Sequence, residues 1–307
     1  MDDKNLDALA EKVSDLIVEA RKVVVFTGAG VSTESGIPDF RGPDGLWTKF
    51  DPEDFTIDKF LRSAETRRQQ WRILSGELIT GEAKPNPAHY AIADLHRLGK
   101  LDCVITQNVD NLHQAAGVPD AQVFELHGNM RRVVCLRCRR VYLFEKIKAR
   151  LARGEDSLDC EVCHGILKPD VVFFGEPLPE RTMEEATVHA SNCDLFLVIG
   201  SSLVVYPAAY MPGYAVEGGA RLVIINHSPT PMDDRAAVVI RARAGEAMMK
   251  IVEKVKGKLH AKTGCELVQA VDLPQPINYN RVGFKRKNAK MSLRGGPTLS
   301  GRRACTL

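Results

Sequence analysis

The segment VVVFTGAGVSTESGIPDFRG, residues 23–42, determines the predicted fold. It begins with an uninterrupted apolar run after Lys22, which is typical of a strand buried on both faces of a sheet. Gly28 and Gly30 follow, and glycines here allow a tight turn in which backbone N–H groups approach a pyrophosphate. The match to the dinucleotide fingerprint is incomplete, because Thr33 occupies the position of the third glycine. A generic strand-to-helix turn is therefore the alternative to a dinucleotide site.

Short β-branched runs recur along the chain and alternate with helix-length stretches. The apolar spacing of residues 6–20 predicts an amphipathic helix, and residues 87–98 and 180–190 are also of helix length. This alternation predicts an α/β fold, a Rossmann-type parallel sheet with helices on both faces, which binds ligands at the carboxyl ends of its strands. The other strand candidates are residues 103–106, 123–126, 195–199, 222–225 and 237–240.

Two insertions interrupt this alternation and predict a smaller module beside the sheet. Residues 44–84 are charged and helix-like, whereas residues 129–170 contain paired cysteines among many Arg and Lys. We expect a helical module from the first insertion, a zinc module from the second, and a small domain from both. The predicted Rossmann-type domain then comprises residues 1–43, 85–128 and 171–257.

The net charge of +3 combines an acidic body with a basic C-terminal segment. Residues 258–307 contain ten Lys or Arg and two acidic residues, a charge of +8, which leaves −5 for residues 1–257. The composition of 258–307 predicts a flexible tail, and contact with nucleic acid or another acidic partner is the alternative.

Overall composition places the chain among globular proteins. Hydrophobic residues make up 44% of the 307 positions and charged residues 26%, which excludes a disordered or fibrous chain. The sequence has no run near the roughly 20 apolar residues of a membrane helix. Its N-terminus also lacks the pattern of a secretory signal, so we expect a cytoplasmic protein.

Four of the eight cysteines form two pairs with metal-binding spacing. One CxxC pair is Cys135 and Cys138, and the next is Cys160 and Cys163. Two such pairs supply the four thiolates of a tetrahedral zinc site, and a full set of protein ligands is typical of structural zinc. A redox dithiol is the alternative, and His164 is an alternative ligand.

Two polar clusters begin where predicted strands end. They are TQNVDNLH, residues 106–113, and ELHG, residues 125–128. The amides and the carboxylate of the first cluster are expected at the rim where a parallel sheet binds its ligands, and the second cluster ends a strand in the same way. At this point His127 is either a structural residue at a strand end or a catalytic one. The Gly- and Pro-rich residues 35–43 similarly form either a loop that orders over a ligand or an ordinary surface loop.

Taken in order, these motifs resemble those of the sirtuins, the NAD-dependent protein lysine deacylases, of prokaryotic type. The resemblance extends from about residue 5 to residue 257. It implies a Rossmann-type large domain and a small domain with a helical and a zinc module. The matching motifs are GAGVSTESGIPDFRG (28–42), TQNVDNLH (106–113), ELHG (125–128), both CxxC pairs, KPDVVFFGE (168–176) and GSSLVVYP (200–207).

The resemblance also implies a reaction that consumes NAD. The carbonyl oxygen of an acyl-lysine attacks the ribose carbon that bears nicotinamide, nicotinamide leaves, and the acyl group passes to the sugar. By similarity, His127 is the general base on the ribose hydroxyls, and Asn108 helps to order water and ribose. An imidazole with an ordinary pKa of about 6.5 can accept that proton at neutral pH. Acyl-lysine proteins or peptides are the implied partners, and the implied zinc is structural.

Further site residues are implied by the matching positions. The segment that pairs with the substrate peptide as an added strand includes Val172, Phe174, Gly175 and Glu176. The NAD-binding residues, besides Asn108, are Gly28, Ala29, Ser32, Ile37, Asp39, Phe40, Arg41, Gln107, Asp110, Gly200, Ser201, Ser202, Asn226, His227 and Ala244.

The acyl preference follows from the helical module. Members that remove succinyl or malonyl groups have a Tyr-x-x-Arg pair there, but residues 60–84 contain no tyrosine. Acetyl-lysine is therefore the expected substrate, and longer apolar acyl groups are the alternative.

Two further hypotheses use the same features. A dehydrogenase would use the glycine loop for hydride transfer, and a zinc-ribbon protein would bind nucleic acid through its basic tail. The incomplete fingerprint and the cluster of Asn108 and Asp110 disfavour the first, and the acidic body disfavours the second.

Overall fold

The computed structural model describes residues 2–74, 83–155 and 158–263. The strands are β1 (Val23–Thr27), β2 (Leu101–Thr106), β3 (Val123–Glu125), β4 (Gly128–Cys135), β5 (Val141–Leu143), β6 (Leu167–Val171), β7 (Leu195–Ile199), β8 (Arg221–Ile225) and β9 (Val238–Ile240). The α-helices in these ranges are α1 (Asp3–Glu19), α2 (Ile57–Arg62), α3 (Ala64–Arg72), α4 (Pro87–Arg97), α5 (Leu112–Ala115), α6 (Phe144–Ala152), α7 (Glu180–Ser191), α8 (Met211–Glu217) and α9 (Ala244–Thr263).

Six strands form a parallel sheet in the order β3-β2-β1-β7-β8-β9. The predicted α/β fold is confirmed, since every neighbouring pair in this sheet is parallel. The chain order reverses at β1, and parallel sheets bind ligands outside the carboxyl ends of the strands at such a point. Thr27 pairs with Thr106 on one side and with Ile199 on the other. The loops that follow these three residues therefore begin at the same level of the sheet.

The core lies on both faces of this sheet. Strand β1 is buried at all five positions, and its Phe26 stacks on Phe196 with ring centroids 6.1 Å apart. Helices α1, α4 and α9 cover one face, and α7 and α8 cover the other. The residues of α1 that face the core have the three- or four-residue spacing of one helix face, and they are Leu6, Ala10, Val13 and Ile17.

Helix α9 corrects the predicted start of the basic tail. It continues to Thr263, so residues 258–263 belong to the helix. The physical reason is pairing with the acidic face of α1, because the Lys258 ammonium lies 2.7 Å from Glu11 and 2.5 Å from Asp15. The flexible tail predicted for residues 264–307 falls outside the described residues. None of the described helices has the combined length and apolarity that crossing a bilayer requires.

A second sheet is antiparallel and has the order β5-β4-β6. Trp71 of α3 is buried in the same apolar cluster as Val133 of β4 and Leu167 of β6. Phe60 of α2 likewise packs with Phe173, which follows β6. Elements from both insertions thus share apolar clusters beside the parallel sheet.

Candidate active site

The glycine turn after β1 is held against the turn after β7. The Gly30 N–H donates to the Gly200 carbonyl at 2.8 Å, and the Gly28 N–H donates to Ile199 at 3.2 Å. A Cβ atom on Gly30 would lie 2.8 Å from the Gly200 Cα, which leaves no room for a side chain. Two short 3-10 turns follow, Ala29–Val31 and Thr33–Ser35. No regular α-helix begins at these turns. The third glycine of the fingerprint normally allows a helix to pack closely on the strand, so no glycine is required at that position here.

Three of the predicted site residues form one hydrogen-bonded group. Ser32 is 1% exposed, and its hydroxyl donates to the Asp110 carboxylate at 2.7 Å. The Asn108 amide donates to the Ser32 hydroxyl at 3.1 Å and to the Gly28 carbonyl at 3.2 Å. The other Asp110 oxygen accepts from the Leu112 N–H at 3.0 Å. The loops after β1 and β2 therefore present their polar side chains as a single unit.

His127 is oriented by a backbone carbonyl. Its Nδ1 lies 2.9 Å from the Gln107 carbonyl oxygen, which can only accept, so Nδ1 carries the proton and Nε2 keeps a lone pair. Burial lowers the pKa of His127, and the bond to Gln107 partly offsets that effect. The Gln107 side chain donates to the Ser201 hydroxyl at 2.8 Å, which ties this unit to the turn after β7. At neutral pH the ring is a neutral imidazole, and its Nε2 is free in the sense that it has no hydrogen-bond partner among the described residues.

Two buried histidines behind these residues are ones to which sequence reasoning gave no role. His113 Nε2 lies 2.9 Å from the Thr27 hydroxyl, which donates to the Thr106 hydroxyl at 2.8 Å. His113 Nδ1 has no hydrogen-bond partner among the described residues. The ring of His89 lies 5.0 Å from that of His113. The only feature of the sequence that could have indicated a role for His89 is its position on the apolar face of a helix.

His89 connects the start of α4 to this group. Its Nδ1 accepts from the Asn86 N–H at 3.3 Å, and its Nε2 lies 3.5 Å from the Ser32 hydroxyl. Burial lowers the pKa of His89 to about 4, although the nearby Asp110 carboxylate acts in the opposite direction. Burial also holds the pKa of His113 well below its ordinary value. Both rings are therefore neutral over the physiological range.

A pH-dependent stability follows from His89. Its pKa is lower in the folded chain than the ordinary 6.5, so the unfolded chain binds the additional proton and folding weakens as pH falls from about 6.5 towards about 4. From pH 7 to pH 5 this residue alone should cost about 2 kcal/mol of unfolding free energy. In urea titrations, His89→Gln should reduce the difference between the two pH values by that amount. His260→Gln, which changes an exposed histidine, should not, and an equal difference in all three proteins would contradict the assignment.

The loop predicted to lie over the cofactor is held by hydrogen bonds from its own backbone N–H groups. The Asp39 carboxylate accepts from the Gly42 N–H at 2.7 Å, and the Ile37 N–H donates to the Ser32 carbonyl at 3.3 Å. Phe40 is 40% exposed and lies 5.2 Å from the Trp47 ring. The bond to Gly42 gives Asp39 a role within the loop. Arg41 is exposed. Contacts of the loop with NAD remain a prediction.

The remaining predicted cofactor residues lie along the same edge of the sheet. Ser201 is buried, Ser202 is partly buried, and both follow β7. Asn226 follows β8, and its N–H donates to the Ile240 carbonyl at 3.1 Å. His227 is exposed beside it, and Ala244 begins α9. Their contacts with NAD stay predictions.

Sequence reasoning also missed a link between the loop after β1 and helix α9. The Glu34 carboxylate accepts from the Gly245 N–H at 2.8 Å. It thereby satisfies one backbone donor in the first turn of α9, where a carboxylate also interacts favourably with the helix dipole. A contact across 211 residues leaves no local signal in the sequence.

The predicted peptide-binding segment lies directly beside His127. The Val172 N–H donates to the His127 carbonyl at 2.9 Å. Phe174 forms a parallel bridge with Thr56, which joins the segment to the first insertion. Gly175 has a φ of +88°, a conformation that favours glycine. The Glu176 carboxylate accepts from the Phe173 N–H at 2.8 Å.

The four predicted zinc ligands lie together at one end of the antiparallel sheet. The Sγ atoms of Cys135 and Cys163 are 3.4 Å apart, those of Cys138 and Cys160 are 3.6 Å apart, and all four lie within 4.8 Å of one another. The Tyr142 hydroxyl lies 3.0 Å from the Cys160 Sγ and is the main cause that lowers the pKa of that thiol to about 6. A tetrahedral shell with Zn–S bonds of 2.3 Å has sulfur atoms about 3.8 Å apart, so this cluster fits a zinc ion.

The fold and this edge of polar residues define a Rossmann-type α/β protein, a class that binds nucleotides where the strand order reverses. The family model described as "Sir2 family" matches residues 28–207. The chain belongs to the Sir2 family, which confirms the resemblance of its sequence motifs.

Several relatives support this membership along most of the chain. It is 47% identical over 247 residues to NAD-dependent protein deacylase 2 of Archaeoglobus fulgidus, and the match covers 80% of this chain and 95% of that protein. It is 47% identical over 251 residues to NAD-dependent protein deacetylase 1 of Pyrobaculum aerophilum, a match that covers 81% and 96%.

Solved Sir2 structures share the fold. One described in terms of the mechanism and regulation of Sir2 enzymes is 45% identical, has a TM-score of 0.75, and covers 82% of this chain and 99% of its own. Another Sir2 structure contains a deacetylated p53 peptide and 3′-O-acetyl ADP-ribose, with 41% identity, a TM-score of 0.74, and coverage of 80% and 97%.

Proposed function

We propose that this chain is an NAD-dependent protein lysine deacylase, and first of all a deacetylase, which transfers the acyl group to ADP-ribose and releases nicotinamide. Its relatives are named NAD-dependent deacylases and deacetylases, and one related structure contains a deacetylated peptide together with 3′-O-acetyl ADP-ribose. The observation that carries the proposal is the free Nε2 of a neutral His127 beside both the polar group and the peptide segment.

In this proposal the first substrate, NAD, lies along the carboxyl edge of the parallel sheet. The nicotinamide end contacts Asp110, whose carboxylate is already oriented by the Ser32 hydroxyl and a backbone N–H. The phosphates contact the turns around Gly28 and Gly200, and the adenosine end reaches Asn226. These turns are joined by direct backbone hydrogen bonds, so they need little rearrangement to bind one extended molecule.

His127 supplies the general base in this proposal. Once the acyl-lysine oxygen has displaced nicotinamide from the ribose, a ribose hydroxyl gives its proton to Nε2 as its oxygen bonds to the acyl carbon, and the C=N π electrons of that carbon move to the lysine nitrogen. The lysine amine then leaves, and water supplies the oxygen that completes the acyl ester of ADP-ribose. Nδ1–H stays bonded to the Gln107 carbonyl, which stabilises the cationic ring and holds its orientation. Because burial lowers the pKa of His127, the ring is unprotonated before this step at neutral pH.

We also propose that the four cysteines bind structural zinc. When bound, the ion crosslinks two CxxC turns and supplies no catalytic chemistry, since all four positions are held by protein ligands. The reduced thiols that such a site needs favour a reducing compartment, in agreement with a cytoplasmic location.

The proposed function is tested with an acetyl-lysine peptide and purified protein. Deacetylation should require NAD, and no reduced nicotinamide absorbance should develop, which separates this activity from that of a dehydrogenase. Acetyl and longer apolar acyl peptides should react faster than succinyl peptides. Deacetylation at an equal rate without NAD would contradict the proposal.

Lys168 should control peptide binding through the segment beside His127. Its buried ammonium lies 2.9 Å from the Glu176 carboxylate and 4.4 Å from the centre of the Phe173 ring, and it donates to the Val171 carbonyl. Lys168→Met removes these bonds, and we expect the KM for peptide to rise at least about tenfold, the equivalent of roughly 1.4 kcal/mol.

Two further variants and the KM for NAD distinguish a positioning role of Lys168 from a general loss of structure. The KM for NAD should change little, and Lys168→Arg should recover part of the peptide affinity. Lys148→Met, which changes an exposed lysine on α6, should behave like the unaltered protein. Equal rises of the KM for peptide and for NAD would indicate a general loss of structure instead.

A further inference from the structure

A second cluster of metal-binding side chains lies at the other end of the parallel sheet. Asp102 and Cys103 are near the start of β2, and His189 is in the last turn of α7. Each offers one ligand atom, and these atoms all lie within 4.8 Å of one another. Cys103 precedes Thr106 by three residues, about 10 Å along a strand, so this cluster is separate from the candidate active site.

We propose that Asp102, Cys103 and His189 form a binding site for a divalent ion of the zinc class, distinct from the four-cysteine cluster. Carboxylate, thiolate and imidazole are the three donor types that zinc uses in proteins, and three protein ligands leave a fourth position for water. The side chains of His189 and Asp102 are 36% and 21% exposed, which gives an ion and water access from solvent.

Only small side-chain movements are needed for the three ligand atoms to surround an ion. Ligand atoms of a tetrahedral zinc shell are about 3.5 Å apart, so an inward shift of about 1 Å is sufficient. The pair formed by His189 Nδ1 and Asp102 Oδ2, 2.6 Å apart, has to open slightly as the ion enters. The Phe124 ring lies 5.0 Å from the His189 ring and limits its rotation.

The surroundings favour a cation. The carboxyl end of α7 carries the negative end of the helix dipole, and His189 belongs to its last turn. Cys193 follows that helix, and its thiol donates to the Ala190 carbonyl at 3.2 Å. Burial raises the pKa of Cys103, so the thiol is protonated without metal and its proton passes to solvent as the metal–sulfur bond forms.

Cobalt(II) is the probe that tests this site, because its bond to a thiolate absorbs in the near ultraviolet. Equilibrium dialysis of the full chain against Co²⁺ should load an ion whose thiolate band is lost on adding Zn²⁺. His189→Gln should weaken that binding at least tenfold, and Cys103→Ala should remove its band. His260→Gln, an exposed histidine on α9, is the matched control and should bind cobalt normally.

Cobalt that replaces zinc at the four cysteines gives a band that persists in both variants, so the two sites are distinguishable. His189→Gln changes a partly exposed helix residue and keeps the test independent of folding defects caused by changing buried Cys103. The proposal is overturned if His189→Gln binds as much cobalt with the same affinity and spectrum. Asp102 and His189 then form only a hydrogen-bonded pair.

Discussion

Replacing His127 with alanine should lower kcat for deacetylation by a factor of about 10²–10⁴, the usual contribution of a general base. The change removes the free Nε2 and the bond from Nδ1 to the Gln107 carbonyl, and leaves the Ser32–Asp110 group intact. The KM for NAD should therefore change little, and the chain should still fold and retain zinc. Steady-state kinetics at saturating NAD and peptide measure the effect.

The pH dependence of kcat/KM tests the role of His127 as general base independently. Burial lowers the pKa of His127, so the acid limb of kcat/KM should lie below the ordinary histidine value of about 6.5. His260→Ala serves as the control for a histidine far from the site. A His127→Ala protein that keeps a tenth or more of the activity would exclude this residue as the base.

Replacing Cys160 with serine should have the largest effect on structure. Structural zinc contributes about 10–16 kcal/mol to the folding of small zinc modules, comparable to the whole stability of a domain. Strand β4 begins at Gly128, immediately after His127, and its end holds Cys135. Loss of the metal should therefore expose residues 129–170 to protease and abolish deacetylation, although none of the four cysteines is assigned to substrate.

Metal content, limited proteolysis and activity should change together in Cys160→Ser. Val162→Ser, which alters an exposed residue between Cys160 and Cys163, is the matched control and should keep one zinc ion at these cysteines. A Cys160→Ser protein without zinc, but with a protease-resistant module and normal activity, would contradict a structural role for the metal.

The parallel sheet could be predicted because its strands carry their own signal. The apolar run of β1 is buried at every position, and the polar residues after β1 and β2 follow from where those strands end. The end of α9 could not be predicted in the same way. Its last turns are stabilised by pairs such as Lys258 with Asp15 on α1, a contact between residues 243 positions apart.

The candidate site could likewise be predicted only in part from the sequence. Motif residues such as Ser32 and Asp110 were predicted, and they are joined by a direct hydrogen bond. The roles of His89 and His113 were missed, because they depend on contacts across 57 and 86 residues. The role of Lys168 was missed as well, since it appears only when the segment after β6 folds back on its ammonium.

The most direct test of the central claim is the stoichiometry of the reaction. Acetyl-lysine peptide and NAD are incubated with the protein, and nicotinamide, deacetylated peptide and acetyl-ADP-ribose are quantified by mass spectrometry. The proposed transfer to ADP-ribose predicts equal amounts of all three products. Deacetylated peptide formed with free acetate and without release of nicotinamide would contradict it.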